Sequence, residues 1–247
     1  MLPIKDNLRY LVDSTATTVL IILNILFFVV EQSFILSGHG SFVQGFGMFT
    51  PGDITHAVVH ANAFYMALNA ITIFTAMFLH GGIDHIMGNM VFLHCFGRAV
   101  EGRLGVKRYI LFYLAGGIAA TCGQYFTYMN SSVPNLGASG AIAAVLGAYL
   151  VLFPKARIMG ASTSMGFLNI SAFWFLPLWA FSQVQSQLFS KHGMGGGVAY
   201  MAHLGGFAFG VLFALYLRKF RGGGNTKAVF MEDSCAACPA CSTTLEA

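Results

Sequence analysis

The sequence predicts an all-α polytopic membrane protein of six transmembrane helices, with a large external loop after the first. Three observations carry this. Hydrophobic residues make up 56% of the chain and charged residues only 9%, with a mean hydropathy of +0.70. A soluble domain carries about 25% charged residues, so lipid is the solvent for most of this chain. Glycine is abundant, at 29 residues, as expected where helices must approach closely within lipid. The formal charge of +4 is modest and its carriers stand at the ends of apolar segments. That pattern is a topology signal and argues against nucleic acid as a partner.

Residues 1–14 hold Lys5, Asp6, Arg9 and Asp13 and read as a polar, amphipathic cytoplasmic segment. The run from Thr15 to Leu36 is long enough to cross a hydrocarbon core of about 30 Å. It exceeds a signal-peptide core and no cleavage site follows it, so it reads as a retained helix. Glu31, near its outer end, can snorkel or bond loop groups. From Ser37 to Asp84 there is no Lys or Arg. Within this region Phe64–Leu79 imitates a span, but it contains Asn69 and reaches only the low edge of spanning length. Were it to cross, Arg103, Lys107 and Arg108 would face away from the N-terminal side, against the positive-inside bias. Residues 37–84 therefore read as a large external loop, partly helical and dipping into the interface.

The remaining spans are expected at 85–103, 106–128, 139–153, 165–188 and 198–217. Arg103, Lys107 and Arg108, then Lys155 and Arg157, then Arg218, Lys219 and Arg221 all fall on the N-terminal side, and the outer loops hold only Lys191. Both termini are then cytoplasmic. Residues 15–217 form the membrane domain and 218–247 a flexible cytoplasmic tail. That tail carries Cys235-x-x-Cys238-x-x-Cys241 behind Gly222-Gly223-Gly224. Three cysteines without a tail histidine fall short of a structural zinc set, so no metal is expected. Pro177 should kink or loosen the fifth span, whose aromatic residues read as lipid-facing packing.

Polar groups inside a membrane are costly, so each needs a reason. Counting back from Lys155 at 1.5 Å per residue puts Ser139 about 24 Å above the cytoplasmic end. His203 lies about 22 Å above Arg218, Asn89 about 21 Å above Arg103, and His85 about 27 Å above it. These residues, from three helices, share one depth below the outer surface. The fourth span is too short to cross alone, so its N-terminus must open into a polar cavity. A serine hydroxyl is a weak nucleophile until a base takes its proton, and His203 is the base at hand. No Asp or Glu lies in a span at this depth, which leaves a Ser139–His203 dyad. The developing oxyanion needs donors. The Ser139 helix N-terminus supplies backbone N–H groups, and His85 and Asn89, four apart on one face, supply side-chain donors. Gly137 and Gly140 allow a tight turn and close approach. Each has a plainer reading: serine as helix glue, His203 and Gly206-x-x-x-Gly210 as packing, His85 and Asn89 as an interhelical pair. Their matched depth favours the joint reading.

Several motifs occur in order from about residue 48 to 217. They are Thr75-Ala-Met-Phe-Leu-His80-Gly-Gly82, His85-x-x-x-Asn89-Met90, Phe96-Gly97, Glu101 and Leu104-Gly105. Gly137-Ala-Ser139-Gly-Ala-Ile142, Pro154-x-Ala156-Arg157 and Ala202-His203-Leu-Gly-Gly206 follow. Together they resemble the rhomboid family of intramembrane serine proteases. The resemblance implies a six-helix core and hydrolysis of peptide bonds in or near transmembrane segments, with no cofactor. It implies Ser139 as nucleophile, His203 as general base, and the Ser139 N–H, His85 and Asn89 as the oxyanion hole. His80 takes a structural place at the base of the first loop, and Glu101 and Arg103 tie their helix to its neighbours. Substrates would be single-span membrane proteins in the bilayer, entering past the fifth helix and cut at a small residue. Residues 38–84 contain neither Trp nor Arg, so the Trp-Arg pair that many members carry in that loop is missing. The alternative is a catalytically inactive relative that binds membrane proteins; a small transporter would need paired intramembrane charges that are not there. The expected setting is a prokaryotic plasma membrane, since the chain shows no organelle-targeting leader.

Overall fold

Helix α1 (Thr15–Leu36) is inside out by the standards of a water-soluble protein. Its buried residues are Ala16, Thr17, Leu20, Asn24 and Glu31, whereas Ile22, Leu26, Val29 and Val30 are about half exposed. In water the apolar stripe would turn inward; here the small and polar side chains do, as suits a helix bathed in hydrocarbon. The computed structural model describes residues 1–10, 13–162, 166–189, 199–220 and 229–231. Thr17, Asn24 and Glu31 recur every seven residues, which puts them on one face. Both ends of that face are tied by carboxylates. Glu101, 2% exposed on α5 (Ile83–Leu104), accepts from Ala16 N, Thr17 N and Thr17 Oγ1 at 2.7–2.8 Å. These donors include first-turn N–H groups that the helix cannot satisfy itself, and its dipole favours the negative charge. At the other end Glu31 Oε2 accepts from His80 N at 2.8 Å, so Glu31 does bond a loop group.

Between α1 and α5 the chain forms α2 (Gly40–Gly47), α3 (Pro51–Val59), α4 (Ala63–Thr75) and a 3-10 turn, Ala76–Phe78. Beyond α5 come α6 (Val106–Thr127), α7 (Ser139–Leu152), α8 (Ala172–Phe189) and α9 (Tyr200–Phe220). Among the described residues, α1 and α9 are long and apolar enough to cross a membrane alone. The segment Ala63–Phe78 meets α5 at 80°, so the two would supply a third crossing only as one bent span.

Helix α7 is the centre of the molecule. Every residue from Gly140 to Tyr149 is buried, so helices surround it on all sides. Small residues allow this. A methyl group on Gly206 or Gly210 of α9 would collide with the backbone oxygens of Gly140 or Ala144, and one on Gly147 with that of Phe207. The backbones of α7 and α9 therefore touch, which lipid-immersed helices use for dispersion contact in place of a hydrophobic drive.

The expectation of an all-α chain needs correction. Strand β1 (Leu2–Asp6) pairs antiparallel with β3 (Arg157–Ser162), which pairs antiparallel with β4 (Gly166–Ser171). Strand β2 (Leu8–Tyr10) pairs antiparallel with β5 (Val229–Met231). The polar N-terminal segment thus carries two strands, and α8 begins at Ala172 rather than 165. The cause is visible in β3, where exposed Arg157 and Met159 alternate with buried Ile158 and Gly160, the period of a strand. Gly160 is required there, since a side chain would meet the Leu2 carbonyl oxygen. The N-terminal segment is anchored beneath α7: the hydroxyls of Tyr10 and Tyr149 both donate to the Asp6 carboxylate, at 2.6–2.7 Å. The other helices begin and end within three residues of expectation. Lys191, Arg221 and the tail cysteines Cys235, Cys238 and Cys241 lie outside the described residues.

Candidate active site

Ser139 is the first residue of α7, and the turn before it is stitched to the loop region. Gly137 N donates to Ala76 O at 2.8 Å, and Phe49 and Asn135 exchange two backbone hydrogen bonds of 3.0 and 2.7 Å. Gly137 has φ +125°, a conformation strained for any L side chain. A Cβ there would also stand 2.9 Å from the His85 ring, so the absent side chain is what lets His85 approach Ser139. The first N–H groups of α7 have no intrahelical partner one turn back.

His203 is the fourth residue of α9, brought to α7 by the glycine seam. Its Nε2 lies 2.8 Å from Ser139 Oγ, and its Nδ1 lies 2.8 Å from Gln183 Oε1 of α8. Gln183 in turn donates from Nε2 to Ser182 Oγ at 3.1 Å and to Trp179 O at 3.4 Å. The rings of Trp179 and Tyr200 lie 6.0 and 6.4 Å from the imidazole centroid.

Four of the expected residues, Ser139, His203, His85 and Asn89, line one open cleft of about 780 Å³ between α5 and α8. Asn89 is 8% exposed, and its Nδ2 has no hydrogen-bond partner among the described residues. An unmet buried donor costs free energy, so one at a cleft marks a place kept for a ligand acceptor. Two expected supporting residues lie behind the cleft. His80 is fully buried with its ring edge-on to His85, centroids 5.1 Å apart. Gly140 meets α6, where a Cβ would stand 2.6 Å from that of Ala120. On its other side Ser139 borders a second cavity of about 40 Å³, which also touches Met77, Gly117 and Gln124.

Sequence reasoning missed Gln183 and Trp179. The signal was present: Ser182 and Gln183 are polar residues in an apolar run, the same criterion that found Ser139. No basic residue begins that run at Ala172, so its depth could not be counted.

A sequence model of the rhomboid domain matches residues 67–220, a stretch that contains every residue of the cleft named above. The chain is 33% identical over 142 residues to the rhomboid-type protein YdcA of Bacillus subtilis, covering 57% of this chain and 63% of that one. It is 32% identical over 158 residues to the mitochondrial Rhomboid protein 1 of Saccharomyces cerevisiae, covering 60% and 42%. It is 41% identical over 85 residues to the Rhomboid protease GluP of Bacillus subtilis, covering 34% and 16%. The match spans less than two thirds of the length of each of these relatives. A domain match over more than half the sequence, with these relatives and apolar helices around a buried serine helix, makes this a membrane protein that belongs to the rhomboid family.

Proposed function

We propose that this protein is an intramembrane serine protease that cleaves peptide bonds in or near transmembrane segments of other membrane proteins. The observation that carries the reading is the 2.8 Å contact between Ser139 Oγ and His203 Nε2 in the lining of an open cleft. Ser139 Oγ attacks the scissile carbonyl carbon while its proton passes to His203 Nε2. The carbonyl oxygen becomes an oxyanion, received by the Ser139 N–H, His85 and Asn89 Nδ2. Collapse expels the amine, which takes the proton from Nε2 and leaves an acyl-serine. Water, deprotonated by Nε2, then attacks the acyl carbon; the C–Oγ bond breaks, Ser139 Oγ takes the proton back from Nε2, and the acid product leaves. Each oxyanion donor is worth roughly 10²–10³ in rate. The steps call on neither metal nor cofactor.

The substrates are single-span membrane proteins that reach the cleft sideways between α5 and α8. The small second cavity supports a small residue at the cut: about 40 Å³ suits a short side chain or a water. The chain crosses the membrane six times, by α1, α5, α6, α7, α8 and α9, with residues 37–82 on the outer side. Two contacts support one side for the N-terminus and the α7–α8 connection: β1 pairs with β3, and Arg218 reaches Val151 O at 3.3 Å. With the basic residues on that same face, both termini are cytoplasmic, and the membrane is the plasma membrane of a prokaryote. The test is cleavage of a single-span substrate reconstituted in liposomes with purified protein. Ser139→Ala and His203→Ala should each abolish it while remaining folded; undiminished cleavage by Ser139→Ala would overturn the reading.

A further inference from the structure

We infer that Gln183 is a positioning residue for His203: its side-chain carbonyl holds the imidazole as the Nδ1–H tautomer, leaving Nε2 to take the Ser139 proton. The inference rests on the proposed dyad and adds to it a third member carried by α8.

The hydrogen-bond directions decide the point. Ser182 Oγ donates its single proton to Trp179 O at 2.6 Å, so towards Gln183 it can only accept. The Gln183 group beside it must therefore be the amide NH₂, which also faces the acceptor Trp179 O. A flipped amide would set one oxygen against two acceptors. The Gln183 carbonyl is then the atom 2.8 Å from His203 Nδ1, and an acceptor there requires Nδ1 to carry hydrogen. A neutral imidazole has one N–H, so Nε2 is bare and 2.8 Å from the Ser139 hydroxyl. The run is directional: Ser139 to His203, His203 to Gln183, Gln183 to Ser182, Ser182 to Trp179 O. Once Nε2 has taken the proton, the same carbonyl dipole faces the imidazolium. An amide gives less to that charge than a carboxylate would, but it serves without a buried negative charge, which would be costly at this depth. Among the described residues, the other titratable groups bordering the cleft are His85 and Asp84 of α5, and the Tyr200 ring lies 6.4 Å from that of His203.

The arrangement also links catalysis to the seating of α8. Gln187, one turn beyond Gln183, donates to Tyr128 OH at 2.5 Å, so the polar face that orients His203 also ties α8 to the residue that follows α6.

The experiment uses the full chain labelled with ¹⁵N-histidine in detergent micelles. The His203 signals are identified by their loss in His203→Asn. The wild type should show the Nδ1–H tautomer, and Gln183→Met a mixture or the Nε2–H form. On a reconstituted substrate, kcat of Gln183→Met should fall roughly tenfold to a hundredfold. KM should stay within about twofold, because methionine keeps the length of side chain that Gln183 presents to the cleft. Gln183→Glu should recover most of kcat and move the acid limb of its pH profile upward, because a carboxylate favours imidazolium. An Nε2–H tautomer in the wild type, or an unchanged tautomer in folded Gln183→Met, overturns the inference. If Gln183→Met fails to fold, an unmoved acid limb in Gln183→Glu does so. The tautomer is read without turnover. A protein with no Ser139-dependent cleavage, but with Nδ1–H present in the wild type and lost in Gln183→Met, would contradict the protease reading and leave Gln183 in its place.

Discussion

The imidazole of His85 rests against the bare Cα of Gly137, so close that a Cβ on Gly137 would stand 2.9 Å from two ring atoms. The turn that launches the Ser139 helix and the histidine beside it are therefore one fitted unit. Gly137→Ala should leave the helices folded but drive His85 from the cleft and strain a residue at φ +125°. The expected loss in kcat is roughly 10²-fold or more, as for removal of one oxyanion donor. Steady-state cleavage with a circular dichroism control checks it; activity within twofold of wild type would contradict it.

Asn89 should show function opposed to stability. Its Nδ2 is buried and unpartnered among the described residues, so removing it relieves a desolvation cost. Asn89→Ala should leave the thermal midpoint level or raised while kcat falls roughly 10²-fold. A lowered midpoint with kcat intact would instead make it a packing residue.

Glu101 locks α1 to α5 through three buried acceptor contacts. In Glu101→Gln an NH₂ group must face those donors, and stability should fall by about 2–3 kcal/mol. Unfolding in detergent micelles measures this, with an unchanged midpoint as the contrary result.

Asp6 predicts a pH dependence at the strand-bearing end of the molecule. Burial raises its carboxyl above the usual 3.8, against lowering by the Tyr10 and Tyr149 hydroxyls, the Leu8 N–H and the positive charge of Arg98. A raised folded value means the folded state holds the proton more tightly. The associated stability is complete below 3.8 and is lost as pH rises through the folded value. Acidifying from neutral pH through that window should therefore stabilise the wild type relative to Asp6→Asn. A constant difference in thermal midpoint across the window would count against it.

Much of this arrangement could be read from the residues, for reasons that differ by element. Helices α1, α5 and α7 end where glycine, proline or charge interrupts an apolar run, and α6 where polar residues 130–132 do, so local signals sufficed. Counting depth from Lys155 and Arg218 brought Ser139 and His203 together because α7 and α9 are regular helices of 1.5 Å rise. The start of α8 was hidden because Phe167, Leu168 and Ile170 are apolar whether strand or helix, and six residues show little periodicity. The pairing of residues 8–10 with 229–231 has no local signature at all. Gln183 needed the rotation of α8 about its axis, which packing against α9 and α7 decides.

The central claim is that Ser139 is a nucleophile made reactive by His203. A fluorophosphonate probe, incubated with the folded protein in micelles and mapped by mass spectrometry, tests it without any choice of substrate. The wild type should carry one adduct, on Ser139, with labelling abolished in Ser139→Ala and strongly slowed in His203→Ala. A folded wild type that takes no label, or labelling at Ser139 at the same rate in His203→Ala, would contradict the account.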